Sequence, residues 1–314
     1  MVTTSYTHEA LFFDSRRALL EAAVPWLREG LQAGEDIALV CNDENNAALA
    51  DALGPDPHVM VLPRTRIYHR AVDAVAFYHD LFTARVAAGQ PRVRLVGEVG
   101  FDTRPQGHDE WCRYEAVCNH ALAPLPLWSL CAYNTQALPR PLLDTAWVTH
   151  PWLRAGGERA RTGDFVQPAR LLGSLARPLE PPAAEAATVT LTELGELPGL
   201  RRWLQTRLAD AQVGTEAAEN AVLAVDEVAA NGLRHGRPPV HVALWLTPAR
   251  AVCDITDRGA GIIDPLAGYT PPDPVRLLEG GVGLWMTRRL CEDVTTGRTA
   301  TGFTVRLTLA GALT

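Results

Sequence analysis

What most constrains this chain is an ordered set of three short elements in its last third: one on a helix, one at a strand end and one at a helix start. The segment Thr215–His235 carries the first. Thr215 is suited to cap its start, Glu216 and Glu219 suit its positive end, and Gly236 with Pro238 stops it. Val222, Val225, Ala229 and Leu233 recur at three-to-four spacing and predict a buried stripe, while Glu227, Asn231 and His235 stand four residues apart on another face. Side chains four apart on a helix differ by only about 40°, so these polar groups project into one place. A carboxylate beside a carboxamide suits phosphoryl transfer: the amide oxygen can ligate Mg²⁺, and the carboxylate can orient or deprotonate an attacking hydroxyl. Alone, such a pair is most often a solvated helix face.

Two glycine motifs downstream shift that balance. The apolar strand Ala251–Thr256 runs into Asp257-Arg258-Gly259-Ala260-Gly261, and further on Gly280-Gly281-Val282-Gly283-Leu284 opens a helix. Glycines just past a strand let the backbone approach a ligand closely, and a carboxylate there can accept a hydrogen bond from an exocyclic amine such as adenine's. Exposed amides at a glycine-rich helix start suit phosphates. Either motif alone reads as an ordinary glycine turn; the three together, in this order, point to a nucleotide site.

Composition narrows the chemistry. The chain contains no lysine, which excludes a Walker-type P-loop and the strand lysine of protein kinases. A formal charge of −7 argues against a nucleic-acid surface, so no direct nucleic acid is expected and proteins or small molecules are the expected partners. With 314 residues and 47 % hydrophobic content, about two globular domains are expected. The start has neither a basic n-region nor an apolar h-region, and no apolar run approaches the ~18 residues of a membrane span, so a soluble, cytoplasmic protein with no membrane segment is expected. The six dispersed cysteines read as free, mostly buried thiols.

In the first half, apolar runs at Ala10–Phe13, Ile37–Cys41, Val59–Leu62, Val93–Val99 and Leu127–Ala132 alternate with helical patterns near Arg16–Leu31, Asn45–Leu53, Ala71–Ala88 and Asp109–Leu122. This predicts βαβ units and a mostly parallel α/β sheet covered on both faces. After His150-Pro151, Pro168, Pro178, Pro181 and Pro182 accompany an alanine-rich stretch. The expected division is a first domain over 1–165, a linker over 166–186 and a second domain over 187–314. The second reads as a strand (188–191), two helices (197–211 and 215–235), strands (240–246 and 251–256), a helix (283–291) and strands near 294 and 303–309, an α+β sandwich. The proline-bearing loop Ile262–Glu279 is expected to close over the nucleotide.

No nucleotide motif occurs in residues 1–150. His8, Glu98 and His150 stand at strand or loop ends, where α/β sheets usually bind ligands, and are the candidate sensory residues. Cys112, Cys118 and His120 invite a metal reading, but on one helix Cys118 and His120 point about 160° apart and Cys112 lies about 120° from Cys118, which favours buried thiols.

Glu227/Asn231, Asp257/Gly259/Gly261 and Gly281/Gly283 resemble the N, G1 and G2 boxes of the GHKL (Bergerat-fold) ATPases. Asn231-Gly-Leu-Arg-His235-Gly236 and the ending Gly302-Phe-Thr304-Val-Arg-Leu most resemble the anti-sigma-factor serine kinases, which usually have alanine where this chain has Gly232. The resemblance implies ATP and Mg²⁺ as cofactors, Asp257 on adenine, Asn231 on Mg²⁺, Glu227 as catalytic base, and His235, Gly259, Gly261, Gly281, Gly283, Leu284 and Thr304 around the nucleotide. It implies a sigma factor or its antagonist as partner and admits a homodimer. A non-catalytic ATP- or ADP-binding module that sequesters a partner is the alternative. A sensor histidine kinase is disfavoured, because no histidine stands between His150 and His235 to accept phosphate. His8-Glu-Ala-Leu-Phe-Phe-Asp14, Gly34-Glu-Asp-Ile-Ala-Leu-Val-Cys41, Tyr133-Asn134 and His150-Pro151 resemble the MEDS sensory domain, thought to sense small organic molecules on a RecA-like scaffold without a P-loop.

Overall fold

The computed structural model describes residues 6–100, 108–155, 158–175, 178–247, 250–262, 264–272 and 282–309. The chain falls into two compact units, one up to Leu172 and one from Gly173.

The first unit runs β1 (Thr7–Phe13), α1 (Arg16–Gln32), β2 (Asp36–Val40), α2 (Asp43–Leu53), β3 (Val59–Val61), α3 (Arg64–Ile67), α4 (Ala71–Ala87), β4 (Val93–Gly97), α5 (His108–Ala121), β5 (Leu127–Asn134), α6 (Arg140–Thr149), β6 (Trp152–Ala155), β7 (Glu158–Arg161) and α7 (Pro168–Ser174). Its seven strands lie in the order β3-β2-β4-β5-β1-β6-β7 and are parallel except for β7. β2 and β4 are buried at every position, as strands covered on both faces must be. On one face, Leu11, Phe13, Leu39, Val96 and Leu130 pack with Leu19, Ala23 and Leu27 of α1. Ser15 caps α1 through the Ala18 amide, and Asn42 caps α2 through the Asn45 amide. The alternate residues of β1 and β5 turn to the opposite face, where His8, Cys131 and Tyr133 meet α5 and α6.

The five sequence-predicted strands and four helices of this unit are all present. Short elements were not predicted: α3, α6, β6 and β7, with α7 lying inside the stretch read as linker. Each spans ten residues or fewer, so its period barely repeats.

The second unit runs β8 (Ala187–Leu191), a 3₁₀ turn (Leu194–Glu196), α8 (Leu197–Asp210), α9 (Thr215–Arg234), β9 (Val240–Leu246), β10 (Ala251–Asp257), α10 (Val282–Leu290), β11 (Asp293–Thr299) and β12 (Gly302–Leu309). The sheet is antiparallel throughout, in the order β11-β12-β10-β9-β8. Leu200, Leu204 and Leu208 of α8 and Ala221, Val225 and Ala229 of α9 close its core against Val242, Cys253, Ile255 and Leu307. The alternation of β10 and β12 sends 253, 255, 305 and 307 into that core.

Two local expectations are corrected. Gly214, not Thr215, is the N-cap of α9, because its extended backbone (φ −57°, ψ 146°) precedes the first helical residue and its carbonyl accepts from Ala218. The buried stripe centres on Ala221, Ala224, Val225, Val228 and Ala229, with Val222 and Leu233 only partly buried, since α9 packs against both α8 and α10. All six cysteines are buried and outside any disulfide, as expected. Among the described residues no helix is long and apolar enough to cross a membrane.

Candidate functional site

The polar face of α9, the end of β10 and the start of α10 surround a cavity of about 540 Å³, within the range of small-molecule sites. Glu227, Asn231 and His235 line it from α9, Asp257 and Gly261 from the β10 turn, and Gly283 and Leu284 from α10. Ile255, Phe303 and Val305 form an apolar floor. The three motifs thus converge although β9 and the loop after β10 separate them along the chain. Gly280 and Gly281 lie outside the described residues, as do 263 and 273–279 of the loop expected to act as a lid.

Asp257 is held as an oriented acceptor. Its Oδ1 receives the Gly259 amide at 2.5 Å and the Arg237 amide at 3.2 Å, while Oδ2 accepts no hydrogen bond among the described residues. The glycines around it are required by space. A Cβ on Gly236 or Gly259 would stand 2.6 Å from Asp257 Oδ1, and one on Gly261, whose φ is +85°, would overlap the Phe303 ring. A Cβ on Gly283 would overlap the Glu227 carboxyl, so a larger residue at 283 would push that carboxyl from its place. Asn231 Nδ2 donates to Glu227 Oε1 at 3.4 Å, which leaves Asn231 Oδ1 as the outward acceptor. Gly232 faces Asp257: a Cβ there would lie 3.6 Å from Oδ2 and 3.0 Å from Val240 Cγ2.

Thr304 does not reach the cavity. It is 1 % exposed and occupies the opposite face of the sheet, where its hydroxyl pairs with Thr256 Oγ1 at 2.7 Å. The parity of β12 decides this: Phe303 and Val305 face the cavity, so the residue between them cannot.

Part of the loop is anchored. Arg288 of α10 donates to the Tyr269 hydroxyl at 3.0 Å and the Ala267 carbonyl at 3.3 Å, with its guanidinium 3.8 Å from the Tyr269 ring centroid. Gly268 (φ +74°) packs against Leu284 and lines the cavity.

In the first unit, His8 and His150 come together and Glu98 does not join them. Glu98 accepts from the Asn42 amide at 2.8 Å and from Asn45 Nδ2 at 2.9 Å, so it is bound to the start of α2 as a local structural group. The two imidazoles meet on one face of the sheet beneath α5 and α6 with centroids 3.8 Å apart, not in the crevice at the strand ends. Two residues that the sequence reading did not single out complete the group, Glu115 of α5 and Cys131 of β5. His8 Nε2 lies 3.2 Å from Cys131 Sγ and 3.4 Å from Glu115 Oε2, and His150 Nε2 lies 3.7 Å from the same Oε2. Burial, and then the neighbouring His8, hold the His150 imidazole well below its usual pKa; burial, and then Glu115, push the Cys131 thiol well above. A signal for Glu115 existed: it is a carboxylate one turn from Trp111 and one from Cys118, on the apolar stripe of α5. Cys112 and Cys118 are buried, and the cluster includes neither them nor His120.

Residues 7–151 match the family described as MEthanogen/methylotroph, DcmR sensory domain (MEDS), and residues 191–309 match the histidine kinase-like ATPase domain family. No curated protein matches the chain. Among solved structures, one titled "The cytoplasmic domain of EssC" is similar at 14 % identity, over 46 % of this chain and 29 % of that one, with a TM-score of 0.29. The chain therefore joins a MEDS sensory domain to an ATP-binding, kinase-like domain of the histidine kinase-like ATPase family.

Proposed function

We propose that this protein is a two-domain switch in which the MEDS domain governs an ATP-dependent protein serine kinase whose substrate is an anti-sigma-factor antagonist. The observation that carries the reading is the placement of Glu227 and Asn231 in the same cavity as Asp257. A site that only binds nucleotide needs the adenine acceptor and the phosphate cradle; it does not need a carboxylate on the phosphate side.

Asp257 Oδ2 suits the exocyclic amine of adenine over the apolar floor, and Asn231 Oδ1 suits Mg²⁺. The ion would supply charge neutralisation on the β- and γ-phosphates. Glu227 would accept the proton of the attacking serine hydroxyl, its carboxylate held by the Asn231 amide. Phosphorylation of the antagonist would keep the sigma factor sequestered.

The test separates the two residues. Asn231→Ala is expected to lose ATP binding and transfer together. Glu227→Gln keeps the shape, should spare ATP affinity, and should cut single-turnover transfer to a serine-bearing antagonist by roughly 10²–10⁴-fold. Wild-type protein that binds Mg·ATP and transfers no phosphate would replace the kinase by the partner-sequestering module. Glu227→Gln protein that transfers at the wild-type rate would remove the base assignment.

A further inference from the structure

The four side chains His8, Glu115, Cys131 and His150 present one donor atom each, all within 4.8 Å of one another. They come from β1, α5, β5 and the end of α6, and their exposures are 2, 0, 8 and 0 %. The hydrogen bonds around them show which atoms face inward without a proton. Asn119 Nδ2 donates to two carbonyls, Thr149 O at 2.7 Å and Glu115 O at 3.1 Å, so the Asn119 oxygen is the atom 3.2 Å from His8 Nδ1. His8 Nδ1 therefore carries the proton, and Nε2 points inward as a lone pair. Likewise His150 Nδ1 lies 3.0 Å from the Ala146 carbonyl, an acceptor only, and 3.0 Å from Thr149 Oγ1, whose own proton goes to Thr145 O. His150 Nε2 is left as a lone pair with no hydrogen-bond partner. Tyr133 donates to Glu115 Oε1 at 2.6 Å, and Glu115 Oε2 is buried without a partner. Two imidazole lone pairs and a carboxylate lone pair thus converge, and the Cys131 thiol stands beside them, its sulfur 3.2 Å from His8 Nε2. Burying such a set without a cation is costly.

We infer that His8 Nε2, His150 Nε2, Cys131 Sγ and Glu115 Oε2 form a closed, four-coordinate site for a divalent transition metal of the zinc class. In tetrahedral zinc sites with metal–nitrogen and metal–sulfur distances of about 2.0–2.3 Å, neighbouring donor atoms stand about 3.3–3.7 Å apart. The distances of 3.2, 3.4 and 3.7 Å between inward atoms fit that shape. Two nitrogens, a sulfur and one oxygen suit a borderline ion and not Mg²⁺ or Ca²⁺, which take oxygen shells. The thiol gives up its proton on binding, so thiolate and carboxylate balance the dication and the buried site is neutral. Asn119, Thr149, Ala146 and Tyr133 hold the ligands from behind, as partners of metal ligands commonly do. The site pins β1 and β5 to α5 and α6, which assigns the metal a structural role within the sensory domain.

The experiment uses the full-length protein, stripped with a chelator and titrated with Co²⁺ as a spectroscopic substitute. One Co²⁺ per chain is expected, with a thiolate-to-metal charge-transfer band and intense visible bands of tetrahedral cobalt, all removed by Zn²⁺. Cys131→Ser should abolish the charge-transfer band, and Cys118→Ser should keep it. Tyr133→Phe, which frees Glu115 Oε1, should keep the band and weaken Co²⁺ binding by about 10- to 100-fold. Zn²⁺ should raise the melting temperature of the stripped protein. A wild-type protein that takes up no Co²⁺ would overturn the inference, and so would octahedral weak bands or a charge-transfer band that survives Cys131→Ser. Because the wild-type spectrum alone is decisive, a variant that fails to fold does not rescue the proposal.

Discussion

A single carboxylate, Asp257, shows how residue-scale geometry prepares a site before any ligand arrives. Two backbone amides occupy Oδ1 and leave Oδ2 aimed away from them, so the side chain loses no rotamer freedom when a ligand binds. Asp257→Asn should weaken ATP by about 1.5–3 kcal/mol, roughly ten- to a hundredfold, the value of a hydrogen bond to a charged group. GTP, which lacks the exocyclic amine at that position, should lose far less; equal losses in parallel titrations would show that Asp257 does not read the base. Gly283→Ala tests the neighbouring contact, because its methyl overlaps the Glu227 carboxyl. The expected outcome is a folded protein by circular dichroism with impaired transfer, and unimpaired transfer would mean that Glu227 acts from another position. The thiols give a simpler check. Burial raises Cys112 to about 11 and pushes Cys253 well above its ordinary value. A chromogenic disulfide reagent at pH 8 should therefore find all six thiols only after denaturation.

At the scale of elements, α9 and α10 do the positioning. The α9 helix is buried by its small residues Ala221, Ala224 and Ala229, which lets α8 and α10 flank it closely while its polar face stays open to the cavity. The α10 helix holds part of the loop through Arg288, whose contacts to Tyr269 and Ala267 keep Gly268 at the cavity wall. Arg288→Ala removes the hydrogen bonds to Ala267, Tyr269 and Val294 and a cation–π contact, each about 1 kcal/mol. ATP affinity should fall several-fold, with the preference for adenine over guanine unchanged, because Asp257 is untouched. A change in base preference would place Arg288 nearer the base than its contacts indicate. Both helices were legible from spacing and glycine placement. The edge of α9 was not: Thr215 looked like a cap, but Gly214 already had the extended backbone that the capping position needs.

Each of the two units buries its own apolar residues, and each can be marked separately. Leu204 is 0 % exposed in the core of the second unit, so Leu204→Ala should cost about 2–5 kcal/mol and lower the calorimetric transition that belongs to that unit. Mg·ATP at 100 times its dissociation constant should raise that same transition by about 2.7 kcal/mol of stability. A folded protein in which nucleotide shifts no transition would contradict the ATP site itself. The sequence by itself determined the repeating elements and marked the three motifs that line the cavity, because the periods of 2.0 and 3.6 residues, the strand-end glycines and the Glu-x-x-x-Asn pair are properties of neighbouring residues. The tertiary structure alone decided which distant groups share a space. His8 and Asn119 are 111 residues apart, and His8 and Cys131 are 123 apart, and only the parallel pairing of β1 with β5 beneath α5 brings them into contact. The same pairing rules sent Glu98 to the α2 cap and turned Thr304 to the far face of its sheet. Residue types announce what chemistry a side chain can do, but strand order and face parity, which depend on closure of the whole chain, select the partners with which it does it.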